Sequence, residues 1–225
     1  IGTGKTVSVS GLTISNTDAL NYALIQPTTS ANITAKGLTV SGITANNKLY
    51  DSTTAATLNT ASAALVGVVS GDSVTLDTAS ATGTFASPSV GTGKTVTVSG
   101  LTISGGDTGN YSLTQPTTTA NITAKGLTVT GVTANDKVYD ASSNVTLNTG
   151  SATLVGVVSG DTVSLSGTAV GTFADKMVGS GKLVTISGLA LSGTDAANYT
   201  LTPPTTTANI TPANKLDILG NARSG

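Results

Sequence analysis

The feature that most constrains the fold is a stretch that the chain repeats three times. Its middle copy runs from Gly91 to Thr123, GTGKTVTVSGLTISGGDTGNYSLTQPTTTANIT, and similar copies cover residues 2–34 and 179–211. The equivalent tyrosines Tyr22, Tyr111 and Tyr199 lie 89 and then 88 residues apart. Such a period fits one small domain per repeat and is too long for a solenoid unit of about 20–50 residues. The chain is therefore predicted to be a tandem array of small domains.

The residue types favour strands over helices. Thr, Val and Ser abound, Glu is absent, and aromatic residues make up only 3% of the chain. Thr and Val prefer strands, and strong helix formers are scarce. Short alternating runs separated by Gly, Asn and Asp turns predict seven or eight strands per repeat, with the spacing of a sandwich. We predict an all-β fold of tandem Ig-like antiparallel β-sandwich modules.

The repeat pattern predicts the domain boundaries. About three residues separate Ile122-Thr123, at the end of one module, from Leu127, in the first strand of the next. No flexible linker is therefore predicted, and we expect the modules to follow one another end to end. The tail departs from the pattern, and a short strand or helical turn is predicted within it at 216–219. The predicted parts are the C-terminal part of a truncated repeat at 1–34, full Ig-like repeats at 35–123 and 124–211, and a tail at 212–225.

A change of strand facing recurs at a glycine in every copy. In the middle copy Val96 and Val98 alternate on one parity, and Leu101 and Ile103 alternate on the other, with Gly100 between them. One extra residue beside a glycine indicates a β-bulge or a strand that crosses between sheets. Two short strands joined by a glycine turn is the alternative interpretation.

A tyrosine enters a strand directly after a polar turn in each copy. The turn before Tyr111 reads Asp-Thr-Gly-Asn, and the same arrangement precedes Tyr22 and Tyr199. This pattern is typical of the tyrosine corner of Ig-like sandwiches, in which the hydroxyl bonds back to backbone. A Gly-Asp pair, at 71–72 and again at 160–161, is predicted to form a hairpin turn between two strands.

A second motif carries a family resemblance. The chain resembles YDG-type and related mostly bacterial Ig-like (MBG-like) repeats in two motifs. One is Lys48-Leu49-Tyr50-Asp51, repeated as Lys137-Val138-Tyr139-Asp140, and the other is Asp-x-x-Asn-Tyr-x-Leu. Such repeats occur in tandem in large adhesins of the filamentous-haemagglutinin type. The resemblance covers residue 1 to about 211. The glycine that the family carries after Tyr-Asp is replaced by Ser52 and Ala141.

The resemblance implies a structural function. We expect stalk or spacer modules of a secreted or surface-anchored adhesin, from a Gram-negative bacterium, whose partners are the neighbouring repeats. A host or matrix glycan or protein would be contacted through regions outside this chain. The alternative is an Ig-like module that itself binds a carbohydrate or protein. The net charge of −1 disfavours nucleic acid as a partner. The sequence contains no run of about 18 apolar residues, so no membrane span is predicted.

Enzymatic chemistry and cofactors are not predicted. The chain has no His, no Cys and no Glu, so the usual nucleophile–base pairs and transition-metal sites lack their side chains. Calcium has weak candidates in the turns before two tyrosines, because Asp and Asn supply oxygen ligands. An Asx-turn explains them equally, since Ca²⁺ takes six to eight oxygens. The candidates are Asp107, Asn110, Asp195 and Asn198.

Each full repeat also holds the residues of a Lys–Asn isopeptide cross-link, which some Ig-like surface stalks carry beside an acid. The second full repeat has Lys137, Asn209 and Asp140, and the first has Lys48, Asn121 and Asp51. The alternative is a solvated edge lysine and an asparagine at a strand end.

Overall fold

The computed structural model describes residues 1–213, and within them the fold is all-β. Strands account for 52% of the described residues. The only helical elements of the described residues are three single-turn 3-10 helices at Ala19–Asn21, Thr108–Asn110 and Ala196–Asn198. The all-β prediction is confirmed. None of the helices in this part of the chain has the length and hydropathy needed to cross a membrane. The element predicted at 216–219 lies outside the described residues.

The strands follow the three sequence copies. The partial repeat contains β1 (Gly2–Ser8) and β2 (Thr28–Ile33). The first full repeat contains β3 (Lys36–Ser41), β4 (Thr44–Ala45), β5 (Lys48–Leu49), β6 (Ala55–Ala56), β7 (Leu58–Asn59), β8 (Ala64–Val66), β9 (Thr75–Asp77), β10 (Thr82–Phe85), β11 (Gly91–Ser99), β12 (Thr102–Ser104), β13 (Tyr111–Leu113) and β14 (Thr117–Thr123). The second contains β15 (Lys125–Thr130), β16 (Thr133–Ala134), β17 (Lys137–Val138), β18 (Asn144–Val145), β19 (Leu147–Asn148), β20 (Thr153–Val155), β21 (Ser164–Phe173), β22 (Gly179–Ser192), β23 (Tyr199–Thr202) and β24 (Thr205–Thr211).

The same sheets recur in both full repeats. The second has a five-stranded sheet in the order β17-β24-β22-β21-β18 and a three-stranded sheet in the order β20-β15-β23. The first has β5-β14-β11-β10-β6 and β13-β3-β8. Most pairings are antiparallel, but β15–β23 and β17–β24 are parallel, as are their counterparts β3–β13 and β5–β14. The purely antiparallel arrangement expected from sequence therefore does not hold at the first strands of a repeat.

Small aliphatic residues and one phenylalanine form the core of the second full repeat. Its buried cluster contains Val129, Val132, Phe173, Val184, Ile186, Ala208 and Ile210. In the first full repeat Val40, Val98 and Leu101 form a similar cluster, and Phe85 is also buried. The alternation along β11 and β22 places these apolar side chains inside, as the period of two requires.

Both interpretations of the glycine switch are found. In the first full repeat the strand ends before Gly100. Strand β11 belongs to the five-stranded sheet, and β12, which follows the glycine, pairs with β9. In the second, β22 continues through Gly188, and its pairing with β21 shifts register between Gly167 and Val170. Gly100 and Gly188 have φ of 78° and 79°. A Cβ at Gly100 would lie 2.1 Å from the Ser80 carbonyl oxygen, so a side chain is excluded there.

Compact packing does not follow the sequence copies. The first compact unit consists of Ile1–Asn46, Thr54–Ala86 and Gly93–Ala120. The second consists of Asn47–Thr53, Ser87–Thr92 and the described residues from Asn121 to 213. Two short segments of the first full repeat thus belong to the same compact unit as the second full repeat. The segment Asn47–Thr53 carries the Lys-x-Tyr-Asp motif.

Candidate functional site

A tyrosine–aspartate pair lies in each full repeat. In the second, the Tyr199 hydroxyl donates to Asp161 Oδ2 at 2.6 Å and accepts the Val158 N–H at 3.0 Å. In the first, the Tyr111 hydroxyl donates to Asp72 Oδ2 at 2.5 Å and accepts the Val69 N–H at 3.0 Å. The hydroxyl does bind backbone, but the backbone is that of the Gly-Asp turn, 41 or 42 residues earlier in the chain.

The aspartate of the turn before each tyrosine holds the same Gly-Asp turn. Asp195 Oδ2 accepts the Thr162 N–H at 2.8 Å, and Asp107 Oδ2 accepts the Ser73 N–H at 2.8 Å. In each repeat the two loops are therefore tied together by the aspartate and the tyrosine. A carboxylate that accepts a backbone N–H makes one of the stronger hydrogen bonds in proteins.

The side-chain oxygen of the asparagine before Tyr199, and of that before Tyr111, accepts a hydrogen bond from a main-chain nitrogen of the preceding copy. Asn198 Oδ1 accepts the Val90 N–H at 3.0 Å, and the Ile1 nitrogen donates to Asn110 Oδ1 at 3.4 Å. The four residues named as calcium candidates thus each have an oxygen bound to a main-chain nitrogen. No group of three or more acidic, His or Cys side chains that could hold a metal ion is found within residues 1–213.

The Lys-x-Tyr-Asp motif forms a tight turn. Lys137 Nζ lies 2.6 Å from Asp140 Oδ1, which also accepts the Ser142 N–H at 2.9 Å. Ala141 has a φ of 64°, in the left-handed region that favours glycine. The hydrogen bond from Lys137 and that from the Ser142 N–H hold the pKa of Asp140 below its ordinary value. The turn therefore forms without the family glycine.

The same turn in the first full repeat has the same geometry. Lys48 Nζ lies 2.6 Å from Asp51 Oδ1, and that oxygen accepts the Thr53 N–H at 2.9 Å. Ser52 has a φ of 61°. The two turns therefore present their tyrosines, Tyr50 and Tyr139, from matching backbones.

Tyr50 is buried against the tyrosine–aspartate pair of the second full repeat. Its hydroxyl donates to Asp161 Oδ2 at 2.9 Å, so this oxygen accepts from Tyr50 and Tyr199 together. The rings of Tyr50 and Tyr199 meet edge to face, with centroids 5.3 Å apart and planes at 77°. Only 4% of Tyr50 is exposed. Burial and the hydrogen bond to Asp161 raise the pKa of Tyr50 to about 12.

Within residues 1–213, Tyr139 and Tyr22 have no such environment. The Tyr139 N–H donates to the Thr211 carbonyl at 2.8 Å, as the Tyr50 N–H donates to Thr123 at 2.9 Å. Tyr139 is 36% exposed, and its hydroxyl makes no hydrogen bond to another described residue. Tyr22 is 73% exposed.

The residues of the predicted isopeptide bonds lie on neighbouring strands. Lys137 pairs with Ile210, directly after Asn209. Lys137 Nζ binds Asp140 and two carbonyls, whereas the Asn209 amide donates to Asp136 Oδ2 at 2.8 Å and accepts the Gly181 N–H. In the first full repeat Lys48 Nζ binds Asp51 and Thr53, and the Asn121 N–H donates to Asn47 Oδ1 at 2.7 Å. The cross-link stays a prediction, and each bond would lower the intact mass by one ammonia.

Asp72 and Asp161 were not singled out as site residues by the sequence reasoning. Both were predicted to lie in a hairpin turn. A turn is found at each position, but the strands before and after it belong to different sheets, so it is not a hairpin. The signal that could have found them is the recurrence of Gly-Asp at a constant distance before the corner tyrosine.

The fold and this site define a class: tandem all-β repeats in which a tyrosine of one copy is bound by a tyrosine–aspartate pair of the following copy. The chain belongs to the YDG domain family, whose model matches residues 34–120 and again residues 123–208. No curated protein matches the chain.

Proposed function

We propose that these repeats are spacer modules of a secreted or surface-anchored bacterial adhesin, which extend a binding or anchoring region away from the cell. The observation that carries the proposal is Tyr50. This residue of the first full repeat is buried against Asp161 and Tyr199 of the second. The two repeats are therefore joined by a side-chain contact as well as by the peptide chain.

The junction between the two full repeats supports the same function. Strand β14 ends at Thr123 and β15 begins at Lys125, so a single residue separates them. The hydrogen bond from the Tyr50 N–H to the Thr123 carbonyl holds the motif against the last strand of its own repeat. A load applied along the chain would therefore pass directly from strand to strand.

A display experiment tests the spacer function. The chain is inserted between an outer-membrane anchor and a peptide epitope, and antibody binding to the epitope is measured on cells that carry a long surface polysaccharide. The matched control joins the epitope to the anchor directly. We expect the inserted repeats to increase antibody binding, and equal binding by the two proteins would contradict the proposal.

A binding screen separates the spacer from the alternative, a module that itself recognises a ligand. The purified chain is applied to a glycan array and to host extracellular proteins. A spacer is expected to bind none of them with submicromolar affinity. Submicromolar binding that survives dilution and competition would instead assign recognition to these repeats.

A further inference from the structure

The side chain of Tyr50 makes its contacts outside its own repeat. The lysine and the aspartate of the motif bind each other within the turn. Tyr50 instead reaches Asp161 and Tyr199, which lie 111 and 149 residues further along the chain. The lysine and aspartate thus build a turn, and the turn presents the tyrosine to a neighbour.

The receiving site has the same hydrogen bonds whether or not a tyrosine of the motif is docked on it. In the first full repeat Asp72, Tyr111 and Val69 make the same hydrogen bonds as Asp161, Tyr199 and Val158, although no Lys-x-Tyr-Asp tyrosine of the described residues contacts them. The carboxylate oxygen that binds the corner tyrosine therefore keeps capacity for a second donor, since an ionised oxygen can accept more than one hydrogen bond.

A second contact runs in the same direction. The Val90 N–H is bound by Asn198, the neighbour of Tyr199, and Val90 belongs to the same compact unit as Tyr50. The corresponding contact of the partial repeat joins Ile1 to Asn110. In both cases a preceding copy donates and the turn before the corner tyrosine of the following copy accepts.

We propose that the Lys-x-Tyr-Asp tyrosine is a directional coupling residue: it docks on the tyrosine–aspartate pair of the repeat that follows and protects that repeat, not its own, against local unfolding. The partner is defined by chemistry, as an aspartate carboxylate beside a buried tyrosine ring on a Gly-Asp turn. Tyr139 has the same turn but no such partner among the described residues, and it makes no coupling contact in this chain.

The inference deepens the proposed spacer function, since coupled repeats are what an extended array needs. It is nevertheless tested by a separate measurement. Loss of coupling would leave the display result unchanged if uncoupled repeats still separate the epitope from the cell.

Amide hydrogen exchange of the full chain reads out the coupling. Tyr50→Phe removes one hydroxyl and keeps the ring, so the fold is retained. We expect the Val158 N–H to exchange about tenfold faster, because the lost hydrogen bond is made to a charged group. The Val69 N–H, bound to Tyr111 in the first full repeat, serves as the internal control and should exchange at its original rate. Tyr139→Phe should change neither amide.

An extended protein tests whether the coupling can be created. Residues 124–211 are added once more directly after Thr211, so that Tyr139 precedes a second copy of Asp161 and Tyr199. In this protein Tyr139→Phe is expected to accelerate exchange in the added repeat as Tyr50→Phe does in the preceding one. Replacing the added copy of Asp161 by Asn should have the same effect and should not add to that of Tyr139→Phe.

Two outcomes would overturn the inference. One is unchanged Val158 exchange in the Tyr50→Phe chain. The other is an extended protein in which Tyr50→Phe accelerates exchange but Tyr139→Phe does not, because a directional rule must hold at every junction of the same sequence.

Discussion

The turns that carry Tyr50 and Tyr139 are close copies with different surroundings. Their lysine–aspartate distances are both 2.6 Å, and their left-handed residues have φ of 61° and 64°. Tyr50 is nevertheless 4% exposed and bound to Asp161, whereas Tyr139 is 36% exposed. Because the two turns are alike, the difference in burial comes from what packs against each tyrosine and not from the turn itself.

Truncating the two tyrosines is expected to give the largest difference. Tyr50→Ala removes a buried ring and its hydrogen bond, and should lower the free energy of unfolding by about 3 kcal/mol. Tyr139→Ala removes a partly exposed ring and should cost about 1 kcal/mol or less. Urea unfolding of the two variants and the parent chain measures this. Equal losses would mean that docking adds nothing to stability.

The two aspartates give the same comparison from the receiving side. Asp161→Ala leaves the Tyr50 and Tyr199 hydroxyls without their acceptor. It should lower the free energy of unfolding by about 2–3 kcal/mol, because both tyrosines are buried. Asp72→Ala affects the Tyr111 hydroxyl and should cost about half as much. Urea midpoints check the order. Combining Asp161→Ala with Tyr50→Phe should be less than additive, since the two changes remove the same bond.

Alkaline pH should weaken the docked site selectively. The pKa of Tyr50 is raised from 10.0 to about 12, so docking favours the neutral phenol. Its contribution to stability is complete below pH 10 and is lost as the pH rises through about 12. We expect thermal stability to fall across this window, and to fall less steeply in the Tyr50→Phe chain. Parallel curves for the two proteins would exclude Tyr50 as the titrating group.

Restoring the family glycine should have the smallest effect and an equal one in both turns. Ser52→Gly and Ala141→Gly each relieve a left-handed backbone, which costs about 1–2 kcal/mol for a non-glycine residue and is partly offset by the entropy of glycine. The expected gain is therefore about 0.5 kcal/mol. Thermal unfolding measures it. A gain confined to Ser52→Gly would show that docking strains the turn.

Local patterns correctly predicted the repeat and the strands. Alternation around Val96 and Val98 indicated a strand with one buried face, and both residues are fully buried. The recurring turn before Tyr111 and Tyr199 predicted tyrosines whose hydroxyls bind backbone. These features depend on near neighbours in the chain, which a single sequence displays directly.

The chain by itself thus determined the all-β class, the period and the family resemblance, because strand alternation, turn residues and repetition are properties of short segments. Only the tertiary structure decided that Tyr199 binds Asp161, 38 residues earlier, and that Tyr50 completes the site of the following repeat. Lys-Leu-Tyr-Asp and Lys-Val-Tyr-Asp predict the same local turn. The burial of one tyrosine and the exposure of the other depend on whether a carboxylate from a distant loop is folded against it, and that is set by packing between strands far apart in sequence.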